Sequence, residues 1–298
     1  MSAFSAIDLE KLPPPEVVEI LDFEDVLSEM LADLQSRWPE FTAALESEPA
    51  VKILEVAAYR EVQLRARIND ASRAVMLAFA QKNDLEHIAA PFGVERQEVS
   101  SGDPDALPPI LPTFENDDRL RQRTQLSLEG HTTAGTIGSY KFHALAADAR
   151  IKDVDVQSPT PGDVVVTLLS TENSGNPSAE VLTNVRTFLN AEDVRPLTDR
   201  VTVNASEVIS YDIEAELILF DGPDEEVVRR SSENALRAYV ADRHRLGHDI
   251  ALSGLYASLH QPGIQRVVLV RPTADLVIQP HQAPWNTGIT ITLGGRGE

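Results

Sequence analysis

The sequence predicts an α+β multidomain protein: an elongated N-terminal helical bundle segment, then two small α+β domains with mixed or antiparallel sheets. Three observations carry this. All fifteen glycines lie at or after Gly93, so the first third reads as continuous helix and the rest as mixed structure. Residues 208–220 alternate, with Ile209, Tyr211, Ile213, Ala215, Leu217 and Leu219 on one side and Ser210, Asp212, Glu214 and Glu216 on the other. A helix–strand–turn–strand pattern occurs at 138–169 and again, weakly, at 253–279. The expected divisions are a helical segment over 1–92, a Pro-rich arm and helix over 93–134, a first α+β domain over 135–206 and a second over 207–298.

In chain order, Pro13, Pro14 and Pro15 interrupt the start, and Pro15 is placed to enter a first helical turn. A helix is predicted over 16–37, its stripe formed by Ile20, Phe23, Leu27, Met30 or Leu31, Leu34 and Trp38. Ser47 is the candidate N-cap of the next helix, with Pro49 behind it. That helix is predicted to run to Lys82, about 50 Å at 1.5 Å per residue. Asn83 and Asp84 restart a short helix over 85–90.

The long helix carries the candidate interface: Val51, Leu54, Ala58, Val62, Ile68, Met76 and Phe79 as an apolar stripe, with Arg65, Asn69 and Ser72 on or beside it. Its length exceeds what a small domain covers, and an isolated helix is marginal in water. Two readings stand at this point. The stripe packs against other chains, its polar members fixing register; or it closes on 16–37 as an intramolecular hairpin with arginines reaching to solvent.

Residues 97–114, QEVSSGDPDALPPILPTF, read as a linker or extended arm, semi-rigid where proline is dense. A helix follows over 115–130, stopped by Gly130. Beyond it, helices are expected near 178–190 and after Asp221-Gly222-Pro223, and a strand near 200–204. The alternation at 208–220 implies a sheet with one buried and one wet face.

Composition excludes several function classes. The formal net charge of −21 repels phosphates and anionic lipid, so neither nucleic acid nor membrane is an expected partner. From Asp8 to Glu48 there are twelve acids against Lys11 and Arg37: a solubilising face, or a dock for a basic partner. Without cysteine there is no thiolate catalysis and no Cys-ligated metal. No run reaches the ~20 apolar residues of a membrane span, and the first residues lack a signal-peptide pattern.

Catalytic patterns are sparse. His244 and His248 have metal-compatible spacing, but Gly247 intervenes and no HExxH glutamate is present; they read as a solvated or satisfied pair. Gly135-Thr-Ile-Gly138 is a turn into a helix rather than a phosphate loop. Asp212, Glu214 and Glu216 share a strand face at spacings an acid/base pair could use, though such acids usually form a solvated side. No catalytic, cofactor or metal site is assigned. The rival reading is a cell-wall-degrading enzyme using Glu214 and Glu216.

Several segments together resemble a known family: 46–96, then FENDDRLRQRTQLSLEG, TTAGTIGSYKFHALAADARIKDVDVQSP, AEDVRPLTDRVTV and LRAYVADRHRLGHDIALSGLYASLHQPGIQRVVLVRP. The chain resembles the baseplate J-like proteins of contractile phage tails and of phage-tail-like bacteriocins (tailocins), from about Ile7 to Trp285. His131 stands where an apolar residue is expected, and TLGGRGE is a glycine-rich tail without assigned meaning. The resemblance implies a structural wedge subunit assembled in the bacterial cytoplasm. Two copies would join a tail protein I-type wedge protein through an N-terminal helical bundle. A sheath initiator of lysozyme-like fold would sit near the bundle. The C-terminal domains would pair between neighbouring wedges, and the ring would surround the hub and spike.

Overall fold

The computed structural model describes residues 12–13, 15–41, 48–132, 134–222 and 224–297, together with Ile7 and Leu9. It is an α+β chain, with α1–α8 and β1–β8 assigned among the described residues. The fold divides into two compact units, one of residues up to 96 plus 116–124, the other of 97–115 plus residues from 125 on.

The first unit is helical. α1 spans Phe23–Arg37, starting where the Asp22 side chain accepts from the backbone N–H groups of Glu24 and Asp25. Residues 16–22 are therefore not helical, contrary to the expected start near Glu16, and Pro15 lies outside any helix. Ile20 is consequently fully exposed, while Val26 replaces it as the buried member of the stripe. α2 spans Pro49–Ala74 with Pro49 in its first turn. The proposed Ser47 cap, like Pro14, lies outside the described residues.

α2 has 26 residues, about 39 Å, so the expected continuous helix to Lys82 is corrected. The cause is tertiary. Arg121, on α4 (Asp117–Gly130), donates from Nε to the Leu77 carbonyl and from Nη2 to the Ala80 carbonyl, each at 2.8 Å. Asp117 Oδ2 accepts from the Lys82 backbone N–H at 3.0 Å, where Lys82 adopts a φ of +50°. These bonds satisfy backbone groups that a longer helix would have paired internally. The chain restarts as α3, Lys82–Ala89. Burial opposes charge on Asp117, but the Lys82 amide and Arg96 outweigh it and hold its carboxyl below the usual range.

The second unit holds three sheets. β1 (Glu98–Ser100) and β2 (Thr113–Phe114) form a small antiparallel pair, extended by an Asp103–Ile110 bridge. The expected linker is thus an arm folded on itself.

Next come α5 (Ile137–Ala147), β3 (Ile151–Gln157), β4 (Asp163–Ser170), α6 (Ala179–Leu189) and β5 (Arg200–Ala205). β4 is central, antiparallel to β3 and parallel to β5. The β3–β4 turn is Pro161-Gly162, with Gly162 at φ +86°. Thr136 caps α5 and Ser178 caps α6 through their side chains. The reading of Gly135–Gly138 as a turn into a helix agrees with that cap. Gly130 ends α4 where a Cβ would meet the Phe142 ring at 2.2 Å.

The third sheet contains β6 (Glu207–Leu219), followed by α7 (Glu225–Arg243), α8 (Leu252–Leu259), β7 (Ile264–Arg271) and β8 (Gln282–Arg296). β6 is central, antiparallel to β7 and parallel to β8. Its expected inward residues Ile213, Ala215, Leu217 and Leu219 join Leu236, Ile250, Leu255 and Ile264 in one core. α7 starts at Asp224, which caps Glu226 and Val227.

The weak repeat fails at its last strand. Residues 274–279 form only an Ile250–Leu276 bridge, and the true third strand is β8. The reason is topological: both mixed sheets share one spatial plan, but their connections differ. In the first, β3 turns directly into the central strand. In the second, the central strand precedes both helices, so the chain leaving β7 must reach the far edge. TLGGRGE is accordingly corrected: most of it completes β8, where Arg296 pairs with Asp221 and Glu225.

Candidate assembly interface

α2 presents two apolar rows. Val51, Leu54, Ala58, Val62, Arg65, Asn69, Ser72 and Met76 recur every three or four residues and so share one side. This side is used within the chain. Val51, Ala58 and Asn69 are buried, and Leu54, Val62, Arg65 and Ser72 are half-buried on α2, which packs with α1. Met76 and Phe79 are half-buried in the turns after α2.

Asn69 closes the pair. Its Oδ1 accepts from the Glu19 backbone N–H at 3.1 Å, and its Nδ2 donates to the Glu19 carbonyl at 2.9 Å. Arg65 donates to Glu61 one turn earlier and reaches Glu19 Oε2 at 3.5 Å. The hydrogen bond that Arg65 donates to Glu61 is the main cause holding its pKa above the ordinary value. Within the chain, Val51, Ala58 and Asn69 are buried, which matches the hairpin reading of this stripe more closely than the intermolecular one. Asn69 anchors the non-helical segment before α1, a backbone requirement no helical periodicity reveals. Asn69→Ala leaves both Glu19 backbone groups without this partner. A loss of about 1–3 kcal/mol is expected in urea unfolding of the full chain. A loss below 0.5 kcal/mol would show that water replaces the amide without cost.

The second row lies roughly 110° round the helix from the first. Ile53, Val56, Leu64, Ile68 and, just past the helix end, Val75 are all exposed, with Ile53 at 69% and Leu64 at 66%. Ile68 is the one member of the expected interface on this outward row. Exposed arginines Arg60 and Arg67 run beside it. A helix face this apolar is a candidate contact for another chain.

The candidate catalytic groups are engaged otherwise. Arg271 on β7 lies 2.9 Å from Asp212 Oδ2 and 2.8 Å from Glu214 Oε2, so two of the three strand acids share one guanidinium as an ion-pair partner. His244 is buried with Nδ1 2.7 Å from the Pro284 carbonyl and its ring edge-on to Trp285. Burial pushes its pKa down, and nearby Lys152 adds to the shift, against the Pro284 carbonyl and Asp153. His248 is likewise lowered, chiefly by burial. Among the described residues no cluster of three or more His, Cys, Asp or Glu side chains is placed to hold a metal. No helix there is long and apolar enough to cross a membrane.

Comparison with known proteins assigns the chain. Three family models match successive regions: the Baseplate J-like N-terminal domain at residues 46–103, the Baseplate J-like central domain at 132–205 and the Baseplate J-like protein C-terminal domain at 211–292. Baseplate protein J of Escherichia phage P2 is 45% identical over 299 residues, covering 98% of this chain and 99% of that protein. The chain belongs to the baseplate J-like family. The resemblance read from residues 46–96 and the later segments is thus borne out.

Among solved structures, a chain of the anti-feeding prophage (AFP) baseplate, determined by cryo-EM with 6-fold symmetrisation, is similar at 15% identity and a TM-score of 0.41. The match spans 60% of this chain and 44% of that one. For this baseplate J-like chain, α2 lies wholly inside the N-terminal match, whereas residues 104–131 fall between the N-terminal and central matches. His131, the departure noted above, is exposed, so an apolar side chain is not required there.

Proposed function

We propose that the protein is a structural subunit of the baseplate wedge of a contractile phage tail or tailocin. The observation that carries this reading is the outward row of α2, an apolar helix face left open in a chain of the baseplate J-like family. Two copies and one tail protein I-type subunit bury that row in a shared helical bundle. The second unit supplies contacts to neighbouring wedges, the assembled ring surrounds the hub and spike, and a sheath initiator docks beside the bundle. Receptor engagement widens the ring and releases the sheath while the bundle stays intact. The protein acts by holding partners in register and not by chemistry, in keeping with the pairing of Asp212 and Glu214 to Arg271.

Co-expression with the neighbouring tail protein I-type subunit, followed by native mass spectrometry, tests this. A complex of two copies to one is the expected outcome. A protein that stays monomeric beside a folded partner, and is absent from purified baseplates, would overturn it.

A further inference from the structure

We propose that residues 97–115 form a docking arm whose apolar tip seats on the outward row of α2 in a second copy of this chain. The inference rests on the wedge reading and names one occupant of that row.

The arm is an unusual object to leave in water. Its strands β1 and β2 have three and two residues, and two-stranded pairs of this kind are marginal alone. Its base is fixed: Gln97 N–H donates to Glu115 Oε1 at 3.0 Å, Glu115 N–H donates to the Gln97 carbonyl, and Gln97 Nε2 donates to the Ala146 carbonyl. Its tip is not covered. Leu107 is 97% exposed and Leu111 76%, with Ile110 and Phe114 also outside. Four large apolar side chains within eight residues form a patch suited to contact rather than solubility. Pro104, Pro108, Pro109 and Pro112 stiffen the segment, so little chain entropy is lost when it docks.

Charge selects the receiving surface. Residues 97–115 carry Glu98, Asp103, Asp105 and Glu115 and no base. In a chain of net charge −21, most surfaces would repel such an arm. α2 is an exception, with five bases (Lys52, Arg60, Arg65, Arg67 and Arg73) against three acids. Arg60 and Arg67 lie beside Ile53, Leu64 and Ile68, where they would flank a seated apolar tip. Each copy carries both halves of the contact, so a second copy is the occupant that requires no further component. The contact joins unlike surfaces, the arm of one copy and α2 of the next.

The test uses the full chain with a photo-crosslinking benzoylphenylalanine at position 111, prepared as a mixture of unlabelled and ¹⁵N-labelled copies. The expected product is a mixed-isotope crosslink to a peptide within residues 53–75. Crosslinks within single chains only, or only to another baseplate protein during co-expression, would overturn the proposal. By sedimentation, Leu111→Asp is expected to weaken self-association roughly ten- to a hundred-fold. Arg60→Glu with Arg67→Glu should weaken it too, and adding Glu98→Lys with Asp105→Lys should restore it. Absence of restoration counts against the arm as the partner of these arginines. The wedge reading is scored separately, by recovery of the wild-type chain in baseplate particles: recovery without the 53–75 crosslink removes the arm proposal and leaves the wedge.

Discussion

Replacing Leu64 by aspartate is expected to abolish incorporation of the chain into baseplates while leaving the chain itself folded. Leu64 is 66% exposed on the outward row of α2, so a carboxylate there meets water in the free protein. In an assembled bundle the carboxylate would have to leave water, a cost of several kcal/mol that Arg60 and Arg67, one turn to either side, offset only in part. The matching change on the other side, Leu54→Asp, acts differently. Leu54 is half-buried on the row packed with α1, so this charge damages the chain's own helix pair first. Thermal unfolding of the free proteins and particle yield together separate the two. Leu64→Asp should keep the wild-type midpoint and lose particles; Leu54→Asp should lower the midpoint. Normal particle yield from Leu64→Asp would remove the outward row as an assembly surface.

The second large effect is expected at Arg121. Its guanidinium reaches the carbonyls of Leu77 and Ala80 and the Asp118 carboxylate, each at 2.8 Å. Two carbonyls after α2 depend on one forked side chain that is itself 12% exposed. Arg121→Ala strands both acceptors and should cost about 2–4 kcal/mol in urea unfolding. Arg121→Lys should not recover it, because an ammonium lacks the planar fork that serves two acceptors at once. Full recovery by lysine would show that charge alone ends the helix.

Arg121 also shows why part of the fold was hidden in the sequence. From Pro49 onward nothing local stops a helix before the eighties: there is neither glycine nor proline until Pro91. The stop comes from residues 117 and 121, brought in by the tertiary fold. The same holds at the start of α1, where periodicity extended the helix over a non-helical segment whose Glu19 backbone is held by Asn69. Local signals were reliable where they had a local cause. The turn into a helix at Gly135–Gly138, the helix near 178–190, the turn between β3 and β4 and the alternation into Leu217 were all legible.

β8 was missed for the opposite reason. Pro284, Gly288, Gly294 and Gly295 depress strand propensity, yet an edge strand tolerates them, and its register is imposed by β6. At the candidate interface, the sequence placed one stripe of α2 toward other chains, whereas within the chain that stripe is buried or half-buried and a second apolar row is exposed. Both rows of α2 are apolar at helical spacing, and only packing with α1 decides which remains free.

The pairing of β6 with β8 has a consequence for biosynthesis. Glu207 and Gln282, joined through their side chains at the start of this ladder, are separated by 75 residues. At ribosomal speeds of about 5–20 residues per second, β6 waits roughly 4–15 s for its parallel neighbour. Throughout that interval one edge of the longest ladder is open, beside apolar residues that belong in a core. Nascent chains growing close together on one message would meet in that state. The rate at which synthesis supplies the last strand thus sets how long each copy is exposed to pairing with the wrong neighbour.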